Sequence, residues 1–216
     1  MTLEGFCEGI DVSSCQRIED ADAAYASGIR FAFVKSSEGL TGHDPRAIAH
    51  LQALGSAGIL CGTYGFARVQ QGNPRQQART IDVGSTHIVR VALDLETAPT
   101  GGTADQLLDF AEQWLDEVSL TGACPLLYSY TSFLDQRLSG ARLQRLLDRY
   151  PLWLAQYRSV TVPWRPSTVA DLPTRYPWTI YQYSGNGGFR VPGIAGDCDR
   201  NLFRGDEAAL RSWFGL

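Results

Sequence analysis

The sequence predicts an α/β fold, an irregular TIM-like (β/α) barrel with a reduced helical ring, and three observations carry that reading. Short apolar, β-rich runs recur about seven times along the 216 residues. Helical patterns with readable ends separate the early runs, as parallel βαβ units require. After Pro151 the helical signal fades, and residues 158–177 hold four prolines. Seven or eight such units suit a barrel better than a two-domain arrangement, and barrels of this length form single domains. We therefore expect one domain spanning residues 1–216, with no linker, internal repeat or low-complexity tract.

Taken in order, the candidate strands are Gly5–Val12, Ile29–Lys35, Ile59–Phe66, Ile88–Asp94, Ala123–Tyr130, Leu152–Gln156 and Trp178–Tyr183. Each is rich in β-branched or aromatic side chains. Asp44-Pro45 offers an N-cap and a first-turn proline for a helix running towards Gly58. Asn73-Pro74 repeats the device before Arg75–Ile81. Thr103 and Gln106 stand at capping-box spacing. They open a helix with Leu107, Phe110, Ala111, Trp114 and Val118 on one stripe, ending near Gly122. Asp206 is the expected cap of a last helix, Glu207–Phe214.

Composition narrows the function. With 44% hydrophobic and 19% charged residues the chain can bury a substantial core. A net charge of −4 argues against nucleic acid, which selects a basic face, and gives no reason for binding to anionic membranes. Of the 19 basic residues only Lys35 is lysine. The N-terminus has neither a basic n-region nor an apolar h-region, so the expectation is synthesis in the cytoplasm without a signal peptide. No apolar stretch is long enough for a transmembrane helix. Five scattered cysteines without a CxxC pair read as isolated buried thiols, with a disulfide between two of them left open. Three histidines make a zinc site unexpected.

The chemistry concentrates in Asp94-Leu95-Glu96, which closes an apolar run. In a strand, residues two apart share a face and sit roughly 6.6 Å apart. Two carboxylates held that close should split, one pKa rising and the other staying low. That pairing can protonate a leaving oxygen and stabilise positive charge beside it, which is glycoside hydrolysis. The loop that follows leaves a plainer reading open, a helix cap or a surface pair.

Barrel chemistry sits at the C-terminal ends of the strands, so the strand list becomes a site prediction. Asp11, Glu38, Tyr64, Phe66, Asp94 and Glu96 end or follow the first four strands. Tyr128, Tyr130, Trp153, Gln156, Tyr181, Gln182 and Tyr183 lie on the later ones. Acids and aromatics gather at one mouth, and flat aromatic faces suit sugar C–H surfaces, although each aromatic taken singly could equally be core. Asp11 could equally make a structural hydrogen bond at a strand end. For Glu38 a salt bridge or loop bond is favoured.

Five short motifs in order then resemble family 25 glycoside hydrolases, the Chalaropsis-type lysozymes. They are Gly9-Ile10-Asp11-Val12-Ser13, Phe33 to Gly39, Gly62-Thr63-Tyr64-Gly65-Phe66, Ala92 to Glu96, and Val191 to Phe203. The resemblance runs from about residue 5 to the end. It implies a catalytic domain that cuts the β-1,4 bond after N-acetylmuramic acid in peptidoglycan, with net retention and no cofactor. It places the family's acids on Asp11, Asp94, Glu96 and Asp199, with Asp197 as the competing candidate for the last. Glu96 is expected as general acid and later base. Asp94 is expected to stay ionised, stabilising the transition state or orienting the substrate's N-acetyl group. Asp11 and Asp199 complete an acidic floor, and Tyr64, Phe66, Tyr130, Trp153, Gln156 and Gln182 are expected to contact substrate.

One departure stands out: many members carry His where this chain has Gly65. The implied partner is the glycan strand of peptidoglycan, met by a monomer at the bacterial cell wall after release by phage lysis or a secretion system. The competing readings are a non-catalytic glycan-binding barrel, a hydrolase of another amino-sugar polymer such as chitin, and a protein delivered to a competitor's wall.

Overall fold

The alternation of strands and helices closes into a barrel in the computed structural model, which describes residues 3–81, 89–158, 164–185 and 189–216. In chain order it begins β1 (Phe6–Val12), β2 (Arg17–Ile18), α1 (Ala21–Ala26), β3 (Ile29–Glu38), β4 (Gly42–His43) and α2 (Ala47–Ser56). It continues β5 (Leu60–Phe66), α3 (Pro74–Arg79), β6 (Arg90–Asp94), α4 (Ala104–Ser119) and β7 (Cys124–Tyr130). Then come α5 (Thr131–Arg137), α6 (Ala141–Arg149), β8 (Leu152–Ala155), β9 (Trp178–Ser184), β10 (Ile194–Ala195), β11 (Asp199–Arg204) and α7 (Glu207–Trp213). Ile88, the first residue of the predicted fourth strand, lies outside the described residues.

Around the barrel the order is β1-β3-β5-β6-β7-β8-β9-β11, and β11 pairs back onto β1. Neighbours from β1 to β9 run parallel, whereas β11 runs antiparallel to both β9 and β1. The parallel βαβ units read from the sequence account for the first seven barrel strands, and the eighth, β11, closes the irregular barrel antiparallel. A parallel return needs a long crossover, usually helical. The described residues between β9 and β11 hold only the short β10. The chain accordingly turns back, and β11 brings its first residues, rather than its last, to the mouth.

Aromatic rings fill the barrel interior. Phe31, Phe33, Tyr128, Trp153, Ile180 and Phe203 are buried together there, with Phe33 and Trp153 centroids 4.7 Å apart. Gly9 and Gly62 make room for them. A Cβ on Gly9 would overlap the Phe31 ring, and one on Gly62 would come within 2.5 Å of Phe33. Outside the strands lies a second apolar layer beneath the helices, to which α4 contributes Leu107, Phe110, Ala111, Trp114 and Val118, all buried. Its capping box forms as expected, Thr103 accepting from Gln106 N and Gln106 accepting from Thr103 N. Asn73 and Asp206 cap α3 and α7 as predicted.

Asp44 does something different. The helix starts later, at Ala47, and the Asp44 carboxylate accepts from Arg46 N at 2.9 Å and Ser14 N at 2.7 Å, tying the loop after β1 to this turn. Helices α1, α5 and α6 had no sequence signal strong enough to place them, because they are short or lack a capping residue with a reaching side chain. Between β8 and β9 the described residues hold one 3-10 turn, Val169–Asp171, so the ring is thin there as expected. All five cysteines are free thiols. Cys7 and Cys198 are buried, but Cys15 is exposed, against the expectation for that residue. Among the described residues no helix is long and apolar enough to cross a membrane.

Candidate active site

A cleft of about 960 Å³ opens at the C-terminal mouth of the parallel strands. Asp11, Asp94, Glu96 and Asp199 all line it. Backbone register explains how residues so far apart in sequence meet. Asp94 ends β6 between Phe66 of β5 and Tyr128 of β7. Past the strand the chain stays pinned: Ala67 N donates to Asp94 O, Leu95 N to Tyr128 O, and Ser129 Oγ to Leu95 O at 2.7 Å. Leu95 is fully buried away from the cleft, so Glu96 returns to the same side as Asp94. The face-sharing read from the triplet is therefore kept although Glu96 lies beyond β6.

Asp11 and Asp199 are direct partners in the antiparallel β1–β11 pair. Directly opposed side chains share one face, which here is the barrel interior. Asp197 is exposed and bound to Arg190 at 3.2 Å, which leaves Asp199 as the cleft acid of that stretch.

The electrostatics depart from the simple split expected for Asp94 and Glu96. Both are raised. Burial is the main cause for each, with Glu96 and Asp11 adding to Asp94, and Asp199 adding to Glu96. Asp11 is raised as well, by burial and then by Asp199, although hydrogen bonds from Asn201 and Gln182 oppose the shift. The physical reason is a shortage of compensating charge. Lys35 is the cation that pulls Asp94 and Glu96 down, and its Nζ is engaged with Glu38 Oε2 at 2.7 Å. Asp94 has a further peculiarity. It is 7% exposed, and its Oδ1 is buried without a hydrogen-bond partner.

The remaining predicted residues take different places. Tyr64, Phe66, Tyr130 and Gln156 line the cleft. Lys35 and Arg68 both sit over the Phe66 ring, at 5.2 and 4.7 Å. Gln156 Oε1 accepts from Thr131 Oγ1 at 2.9 Å. Glu38 is an ion-pair residue, held by Lys35 and by Arg68 Nε at 2.8 Å, which keeps its carboxyl below the ordinary value. Trp153 and Gln182 border the cleft but are nearly fully buried. Gln182 Nε2 donates to Asp11 Oδ2 at 2.7 Å, and its Oε1 accepts from Tyr128 OH at 2.8 Å and from Tyr157 OH.

Strand alternation turns Tyr181 and Tyr183 to the other side of β9, where Tyr183 OH donates to buried Glu8. Sequence reasoning missed Lys35, Tyr157 and Asn201 as site residues. Asn201 had a usable signal, because it stands two residues after Asp199 and strand alternation puts both on one face. Among the described residues no group of three or more His, Cys, Asp or Glu is arranged to hold a metal ion.

Burial and mutual repulsion raise these carboxyls above the ordinary carboxylate range, the direction a proton-donating acid requires. Acids set between aromatic walls at a barrel mouth fit the class that the likeness to known proteins gives this chain, the glycoside hydrolases. The chain belongs to glycosyl hydrolases family 25, whose family description matches residues 10–194. Lysozyme M1 of Streptomyces globisporus is 29% identical over 215 residues, covering 94% of this chain and 69% of that protein. The bacterial lysozyme from Streptomyces coelicolor superposes with a TM-score of 0.79 at 28% identity, covering 96% of each chain. A family GH25 lysozyme from Aspergillus fumigatus gives a TM-score of 0.75 at 25% identity, covering 97% of this chain and 99% of that one.

Proposed function

We propose that the protein is an N-acetylmuramidase that hydrolyses the β-1,4 bond between N-acetylmuramic acid and N-acetylglucosamine in peptidoglycan, with net retention. The observation that carries this reading is the convergence of Asp11, Asp94, Glu96 and Asp199 on one aromatic-walled cleft at the barrel mouth. The acetamido N–H of the muramyl sugar is a hydrogen-bond donor for the Asp94 carboxylate, which lines that cleft.

In this mechanism Glu96 donates its proton to the glycosidic oxygen of the leaving sugar. Asp94, its ionised form favoured by the new N–H bond, orients the acetamido group so that its carbonyl oxygen attacks the anomeric carbon. The Glu96 carboxylate then takes a proton from water, which opens the cyclic intermediate from the face the leaving group vacated, and retention results. Asp11 and Asp199 complete the acidic floor. Tyr64, Phe66, Tyr130 and Gln156 flank the sugar, while Trp153 and Gln182 act beneath it. The protein works as one catalytic domain on glycan strands of the bacterial wall.

The test is mass spectrometry of purified peptidoglycan, digested by wild type and by Glu96→Gln and then reduced with borohydride. Muramitol ends from wild type alone are expected. Glucosaminitol ends would assign the other bond, and cleavage of chitin in preference to peptidoglycan would assign another polymer.

A further inference from the structure

Beneath the acids lies a run of side-chain hydrogen bonds whose polarity is set at its far end. Trp153 Nε1 donates to Asn201 Oδ1 at 2.7 Å, and Asn201 Nδ2 donates to Asp11 Oδ2 at 2.8 Å. An indole N–H can only donate. The Asn201 oxygen must therefore face Trp153, and its NH2 must face Asp11, so the amide has one orientation. Gln182 repeats the logic from β9, its oxygen taken by Tyr128 and Tyr157 and its NH2 given to the same Asp11 oxygen. Trp153, Gln182 and Asn201 are all at most 2% exposed, so water does not compete for these groups.

We infer that Asn201, its amide oriented by the Trp153 indole, is a positioning residue that clamps the Asp11 carboxylate against the wall of the barrel. Both amides grip Oδ2, which leaves Oδ1 as the oxygen free of them and aims the carboxyl the same way in every molecule. They also supply the donors that oppose the effect of burial and of Asp199 on Asp11. Asn201 acts through Asp11 and needs no contact with the sugar. The inference rests on the muramidase reading for its effect on turnover, but not for the clamp itself.

Two variants test it, Asn201→Leu, close in size and without donors, and Trp153→Phe, which keeps an aromatic ring but removes the indole N–H. Carbon-13 NMR of the aspartate carboxyls follows the titration of Asp11 directly, whether or not any glycan is cut. The expected result is a titration of Asp11 at higher pH in Asn201→Leu, with a smaller displacement in the same direction in Trp153→Phe. On peptidoglycan, kcat should fall about tenfold in Asn201→Leu, the rate equivalent of one hydrogen bond to a charged group, with KM within twofold. Adding Asn201→Leu to Asp11→Asn should cost nothing more, since the group it acts on is gone.

An Asp11 titration unmoved in Asn201→Leu overturns the inference. If that variant does not fold, the same null result in Trp153→Phe overturns it. Movement in Asn201→Leu alone removes Trp153 from the assignment. Failure of the muramidase reading shows separately, as wild-type digests without muramitol ends.

Discussion

Asp11 and Asp199 face each other across the one antiparallel seam that β1 makes in the barrel wall. One is the last but one residue of its strand and the other begins its own, so the reversal of β11 is what brings the second carboxyl to the mouth. A parallel eighth strand would have carried Asp199 to the opposite end of the barrel. At the mouth, Asp199 opposes ionisation of both Asp11 and Glu96, adding to the effect of burial.

Replacing Glu96 with Gln keeps the shape and removes the proton. Turnover on peptidoglycan should fall by at least ~100-fold, the low end for losing a general acid, with KM little changed. Release of reducing ends under single-turnover and steady-state conditions checks this, and activity within a few-fold of wild type would remove Glu96 from the role.

Asp94 should work against stability at neutral pH. Its folded pKa is raised above the unfolded value, mainly by burial. Its favourable contribution is therefore complete below about pH 4, the unfolded range, and is lost as pH rises through the folded pKa. Asp94→Asn should melt at least about 2 °C above wild type at pH 7, the response of a domain this size to ~1 kcal/mol. The gap should close towards pH 4 while activity is lost at every pH. Thermal melts across that range decide it, and a lower neutral Tm for the variant would contradict the argument.

His50 predicts the opposite slope. It is buried, its Nδ1 has no hydrogen-bond partner, and burial lowers its pKa below 6.5. The unfolded chain takes up the proton first, so stability falls as pH drops from about 6.5 through the folded pKa. In His50→Leu that part of the fall should disappear. Urea midpoints compared between pH 7.5 and 5 measure it, and parallel curves for the two proteins would discount His50.

Gly65, at the position where the family resemblance leads to an expected His, points away from the cleft. A Cβ there would meet Ile81 Cδ1 at 2.9 Å and Ser37 Oγ at 3.0 Å, on the outer side of β5. Gly65→His should destabilise the fold by about 1–3 kcal/mol, the usual cost of overpacking, and leave kcat within a few-fold of wild type. Denaturant unfolding and initial rates on the same preparation test both halves. A variant of unchanged stability with a large loss of kcat would place residue 65 in the reaction after all.

Much of this molecule was written locally. Strand positions followed from runs such as Phe31 to Val34, α4 from the Thr103 and Gln106 spacing, and the Asp94 and Glu96 pairing from the two-residue period of an extended chain. Those signals depend on neighbours in sequence, which is why they could be read there. The ion-pair role of Glu38 was legible for the same reason, since Lys35 stands three residues away. What the tertiary structure alone decided depends on contacts between distant segments. The direction of β11, the joint rise of Asp94, Glu96 and Asp11, and the use of Gln182 and Asn201 to hold Asp11 are all of this kind. Burial and register set each of them, and neither exists until the barrel closes.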